Sequence, residues 1–216
     1  MDGPTTDGAQ ATWGPQRLRR VVLARALALA GVMAAGPWAS AWAGSEAGEP
    51  SPDEAKAVAA VNARFNALAQ RSDAELWGRR EHWATPAEFI GRGAGDCEDF
   101  AIAKFFALLD AGVPEERLHL AVARLLRSRP AAIEDHLVLL WSPRPGVEPL
   151  VLDNVEPRLL PLAQRPELSV QLAFNRSAAF AVVGARLAPE RRRPPPRRWG
   201  ELLARMAPPT LAVAGR

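Results

Sequence analysis

The sequence predicts an α+β domain, a central helix packed on an antiparallel sheet, from three observations. Residues Cys97 to Asp110 (CEDFAIAKFFALLD) are apolar on nearly every side, the signature of a helix buried in a core. The chain after it is cut by Pro, Gly and Ser turns into short apolar runs of strand length. One amphipathic stretch precedes it. With 216 residues, 48% of them hydrophobic, the chain has room for one ordinary core.

Arg17, Arg19 and Arg20 form a basic region ahead of the apolar run Val21 to Ala35, which only Arg25 interrupts. Ala41-Trp42-Ala43 then gives the A-x-A pattern of signal peptidase, so residues 1–43 read as an export signal cleaved after Ala43. The alternative is a retained anchor, for which the run is short of the roughly 20 residues a span needs. The mature protein is expected in the periplasm, not as an integral membrane protein. Residues 44–187 form the expected domain, and 188–216 a basic Pro/Arg-rich tail too charged to fold alone.

Within the domain, Glu54, Val58, Val61, Phe65 and Leu68 recur at three- and four-residue spacing and predict a helix over Pro52 to Gln70 with one buried face. Residues 71–95 read as irregular, with one helical turn at Pro86 to Ile90, and are unusually rich in tryptophan for a loop. The central helix stops at Ala111-Gly112-Val113-Pro114. Leu118 to Leu126, His136 to Trp141, Leu150 to Asp153 and Ala178 to Val183 are the strand candidates of a meander.

The net charge of +3 and pI near 9.9 suggest an anionic partner until the charge is located. It lies in the two ends; residues 44–189 carry 16 Lys+Arg against 20 Asp+Glu. That excludes a phosphate-tracking surface, and no nucleic-acid partner is expected.

The single cysteine, Cys97, has no internal disulfide partner, so it is an inert buried residue, an intermolecular link or a reactive thiol. Gly91 to Asp96 lead into a helix whose first turn carries the thiol, where unpaired N–H groups favour thiolate. Asp96, Glu98 and Asp99 oppose this, because like charge raises a thiol pKa. A cation is therefore expected nearby. It is either a protonated histidine or a divalent ion on the carboxylates, whose hard oxygens suit calcium better than zinc. A solvated acidic helix start is the plain alternative.

The base comes from His82, His119 or His136. His136 opens an apolar strand and Asp153 closes the next, so pairing across the Ser142 to Glu148 connection would bring base and orienting carboxylate together.

This order of Cys on a helix, then His and Asp on successive strands, resembles the papain-like, transglutaminase-like core. More closely, the chain resembles the bacterial transglutaminase-like cysteine proteinases of the LapG type. The matching stretches are Val61 to Asn66, Trp77-Gly78, Trp83 to Phe89, Gly95 to Phe105, His136 to Leu139 and Leu150 to Asn154, with Asp96-Cys97-Glu98-Asp99 and the Ala-Lys helix after it the most diagnostic. The resemblance implies a protease with Cys97 as nucleophile, His136 as general base and Asp153 as its orienter. It also implies calcium at Asp96, Glu98 and Asp99. The implied substrate is the N-terminal region of a large surface adhesin, cut at an Ala-Ala site to release cells from a biofilm. The implied partner is the periplasmic domain of an inner-membrane cyclic-di-GMP receptor. Phe100 and Phe105 stand where the family commonly has tyrosine and Leu137 where methionine is usual, none of them in the triad. Two other readings keep these residues: acyl transfer to an amine, through the same acyl-enzyme, and a non-catalytic module binding a partner through Trp77 and Trp83.

Overall fold

A computed structural model describes residues 49–128, 131–190 and 193–207. The proposed signal segment lies outside them. No helix among the described residues is long and apolar enough to cross a membrane.

Helix α1 runs Pro52–Asn66, started by the Ser51 hydroxyl, which accepts the Glu54 N–H at 3.0 Å. It ends four residues before the sequence predicts, because Ala69–Gln70 (β1) leaves the helix to pair in parallel with Ala94–Gly95 (β2). Between them the expected irregular segment holds two short helices, α2 (Asp73–Trp77) and α3 (Pro86–Arg92). Each is closed by a capping box, Ser72 with Glu75 and Thr85 with Glu88, and by a left-handed glycine, Gly78 or Gly93. Helix α4 is Cys97–Asp110, as its apolar surface predicts.

The remaining strands are β3 (Leu118–Ser128), β4 (Ala131–Trp141), β5 (Leu150–Leu152), β6 (Leu160–Pro161), β7 (Leu168–Phe174), β8 (Ala179–Val183) and β9 (Arg186–Glu190). They form an antiparallel sheet in the order β6-β5-β4-β3-β7-β8-β9. Along β3 and β4 alternate residues enter different cores. Leu118, Leu120, Leu137, Leu139 and Trp141 pack beneath α4 with Val58, Ile102 and Phe105; Ala121, Ala123, Leu125, Val138 and Leu140 pack on the other face with Leu168 and Phe180. Burial on both faces makes the run after His136 continuously apolar. Glu54 ties α1 to the sheet, accepting from Arg117 Nη1 at 2.5 Å and Trp141 Nε1 at 3.0 Å.

The expected tail needs correcting. Strand β9 reaches Glu190, and Arg197–Met206 forms helix α5, whose Trp199 and Leu202 are buried in the core beneath α4. Trp199 lies 5.6 Å from both Phe105 and Phe174, ring centre to ring centre, and donates its indole N–H to the Asn175 carbonyl at 3.2 Å. The arginines mask a strongly amphipathic helix that folds because the domain supplies its apolar partner.

Candidate active site

Pairing of β1 with β2 fixes the approach to α4, and Asp96 occupies the N-cap position without its side chain capping the helix. Gly95 is required here: a Cβ would lie 2.5 Å from Asp99 Oδ2 and 2.7 Å from the Phe89 ring. Asp99 ties the segment before α3 to α4, its Oδ1 accepting from the Ala84 N–H at 2.8 Å. Cys97 follows in the first turn. Its thiol donates to Glu98 Oε2 at 2.8 Å, and the Leu137 backbone N–H of β4 faces the sulfur. Burial, then the Glu98 charge, push the thiol pKa well up, with the Leu137 N–H opposing them. Burial and the Glu98 and Asp96 carboxylates thus act together against the thiolate, the carboxylates in the direction the sequence predicts.

Strand β5 stops at Leu152 while β4 continues past it, leaving a notch in the sheet edge at Leu137. The notch is where Cys97 meets the sheet. His136, next to Leu137, and Asp153, just past the end of β5, meet on one face, Nε2 to Oδ1 at 2.8 Å. The register that pairs Leu139 with Leu152 makes them diagonal neighbours, as the predicted strand pairing requires.

Asp153 is held by more than the histidine. Val155 N–H donates to Oδ1 at 3.0 Å, Arg165 Nη2 donates to Oδ2 at 2.7 Å, and Asn66 Nδ2 holds the Asp153 carbonyl at 2.8 Å. Burial alone would raise the Asp153 pKa, but His136, Val155 and Arg165 together hold its carboxyl far below the usual carboxylate range. Arg165 is itself buried and also donates to Glu167. Sequence reasoning missed Arg165, because it lies twelve residues from Asp153 in a segment with no local signal.

A second group gathers beside α4. One oxygen each from Asp73, Asp96 and Asp99 lies within 4.8 Å of the others. Asp73 Oδ1, Asp96 Oδ1 and Asp99 Oδ2 are buried without hydrogen-bond partners. Burial first, then neighbouring carboxylates, push Asp96 up to about 9 and Asp99 up to about 7. Asp73 is raised mainly by burial. Three buried, mutually repelling hard donors fit a divalent cation such as calcium. The group differs from the expected Asp96, Glu98 and Asp99: Asp73 joins it, and Glu98 turns its carboxylate to the sulfur and lies outside it. Only the β1–β2 pairing brings Asp73 near Asp96, so no local spacing announces it.

Of the other histidines, His82 supports the carboxylate group through its backbone N–H, which donates to Asp73 Oδ2. His119 is buried with its ring edge-on to Phe180, and the His82 ring packs at a tilt on Trp77.

A helix that begins at a cysteine and packs on an antiparallel sheet, with a buried His–Asp pair on that sheet, is the transglutaminase-like class of fold. Residues 41–169 match the family model described as bacterial transglutaminase-like cysteine proteinase, and the chain belongs to that family. Calcium-bound LapG of Legionella pneumophila is similar at 34% identity over 71% of this chain and 80% of that one, with a TM-score of 0.58. Its EGTA-treated form is similar at 32% identity, over 71% and 79%, with a TM-score of 0.59. No curated protein matches.

Proposed function

We propose that this protein is a calcium-dependent cysteine endopeptidase of the periplasm, with Cys97, His136 and Asp153 as its catalytic triad. The observation that carries the reading is the buried His136–Asp153 pair, 2.8 Å apart, whose histidine lies on the strand whose Leu137 N–H faces the Cys97 sulfur. Asp153 accepts from Nε2 and so keeps the proton on that nitrogen, leaving Nδ1 as the basic atom. Nδ1 takes the thiol proton, and the sulfur attacks the peptide carbonyl carbon. The Cys97 backbone N–H, in the first turn of α4, is available to the developing oxyanion. The imidazolium returns its proton to the leaving amine, and a water deprotonated by Nδ1 then hydrolyses the thioester.

Asp73, Asp96 and Asp99 are the residues that would hold calcium. When bound, the ion supplies positive charge against carboxylates that otherwise oppose a thiolate. Similarity to a LapG structure in calcium-bound form supports this assignment. Family resemblance further supports an adhesin N-terminus, cut between small residues, as substrate. It also supports control by the periplasmic domain of a cyclic-di-GMP receptor. The experiment is incubation of purified protein with adhesin N-termini from the same genome, with and without a calcium chelator. Discrete cleavage lost on chelation and in Cys97→Ala is expected; equal cleavage by Cys97→Ala would overturn the reading.

A further inference from the structure

The β-sheet has an open edge that runs into the nucleophile. Ser142 N–H donates to the Arg117 carbonyl at 2.8 Å, which makes this a hydrogen-bonded pair in the β3–β4 register. Such pairs alternate along an antiparallel ladder, so the even-numbered residues of β4 bond to β3 and the odd-numbered ones turn N–H and C=O the other way. Leu139 and Trp141 meet β5, opposite Leu152 and Leu150. Leu137 turns its N–H to the Cys97 sulfur. Ile133 and Asp135 come next, and among the described residues no strand lies beside them.

We propose that this edge of β4 is the substrate-docking strand: an extended segment of the peptide substrate adds to it, pairing with the outward N–H and C=O groups of Ile133 and Asp135. The occupant rests on the protease reading above and on continuity, since the unpaired ladder ends at the Leu137 N–H beside the sulfur. Edge addition also fits the chemistry of an endopeptidase, because main-chain bonds hold a strand of any sequence while alternate side chains add selectivity.

Two further observations fit a docking strand. Ile133 and its cross-strand partner Leu126 are 61% and 57% exposed, an apolar pair on the α4 face of the sheet. Ile133 is four residues from Leu137, so this pair would meet a substrate side chain about 13 Å from the scissile bond. Edge strands are commonly guarded by free charges. Here Asp135 and Glu134 are instead neutralised by Arg124 at 2.9 Å and Arg127 at 2.7 Å, both on β3.

The test is an N-methyl scan of a synthetic peptide with a central Ala-Ala bond, assayed with the calcium-loaded wild type. It is paired with hydrogen exchange of Cys97→Ala with and without the unmodified peptide. Edge pairing predicts that methylation on alternate residues, on one side of the scissile bond only, lowers kcat/KM by about tenfold per lost bond. Truncating that side below four residues should have a similar effect. Bound peptide should slow exchange of the Ile133 and Asp135 amides, and Ile133→Pro should weaken cleavage more than Ile133→Ala. Cleavage indifferent to methylation, with no protection at Ile133 and Asp135, overturns the docking strand and leaves the protease reading standing. Protection without cleavage by the wild type overturns the protease reading and leaves a peptide-binding edge. Neither cleavage nor protection overturns both.

Discussion

On the sheet side of Cys97, the buried charge of Asp153 meets its counter-charge inside the protein, in Arg165; on the helix side, Asp96 and Asp99 face other carboxylates. The His–Asp half is completed by the fold and should keep its geometry whatever the solution holds. The carboxylate half is a set of acids in mutual repulsion, which the proposed calcium would relieve. With the thiol on α4 and the His–Asp pair on the sheet, the proposed calcium would act on the first without dismantling the second.

The largest expected effect tests whether the two halves act on one reaction. Cys97→Ala or His136→Ala should lower peptide cleavage by roughly a thousandfold or more while the melting curve stays cooperative. Near wild-type turnover in either variant would separate the halves.

Next in size is the internal counter-charge. Arg165→Met removes the buried guanidinium from Asp153 but leaves the bonds from His136 and Val155, and should cost about 3 kcal/mol in chemical unfolding. Arg165→Lys should recover part of that loss. A Met variant as stable as wild type would mean that Arg165 does not complete the dyad.

The cation-dependent half should respond to solution instead. Calcium at about a hundred times its Kd should stabilise the protein by about 2.7 kcal/mol, several degrees in melting temperature, and EGTA should remove the gain. Asp73→Asn should melt at the same temperature with and without calcium. A variant that keeps the full calcium response would take Asp73 out of the site.

The smallest effect is in acid. The folded pKa of Asp153 lies below its ordinary value of 3.8, so its contribution is complete above about pH 4 and is lost as pH falls further. Asp153→Asn should therefore flatten the acid limb of a stability–pH curve; an unchanged limb would remove Asp153 as its source.

The parts of this arrangement that were legible in the sequence are those written in local pattern. The bounds of α4 follow from its apolar surface and from the turn after Asp110, and the His136–Asp153 meeting follows from two adjacent strands. Strand β4 begins at Ala131, five residues earlier than its apolar run, because residues 131–135 project beyond the double-sided core and have no need of apolar side chains. Strand β7 carries no single apolar face to read, because the bulge opposite Val122 and Ala123 sends Leu168 and Val170 into one core and Leu172 and Phe174 into the other. Asp73 and Arg165 could not be read at all, since each acquires its role only when distant segments meet.

Helix α5 also sets an order of events. Phe105, Phe106 and Phe174 share a core with a tryptophan more than twenty residues beyond the last of them, so the space beneath α4 cannot close until that tryptophan has been synthesised. A ribosome emits a chain from its N-terminus, and Cys97 therefore emerges about a hundred residues before the indole that completes the core under its helix. The thiol is made early and housed late, on a helix without a finished floor.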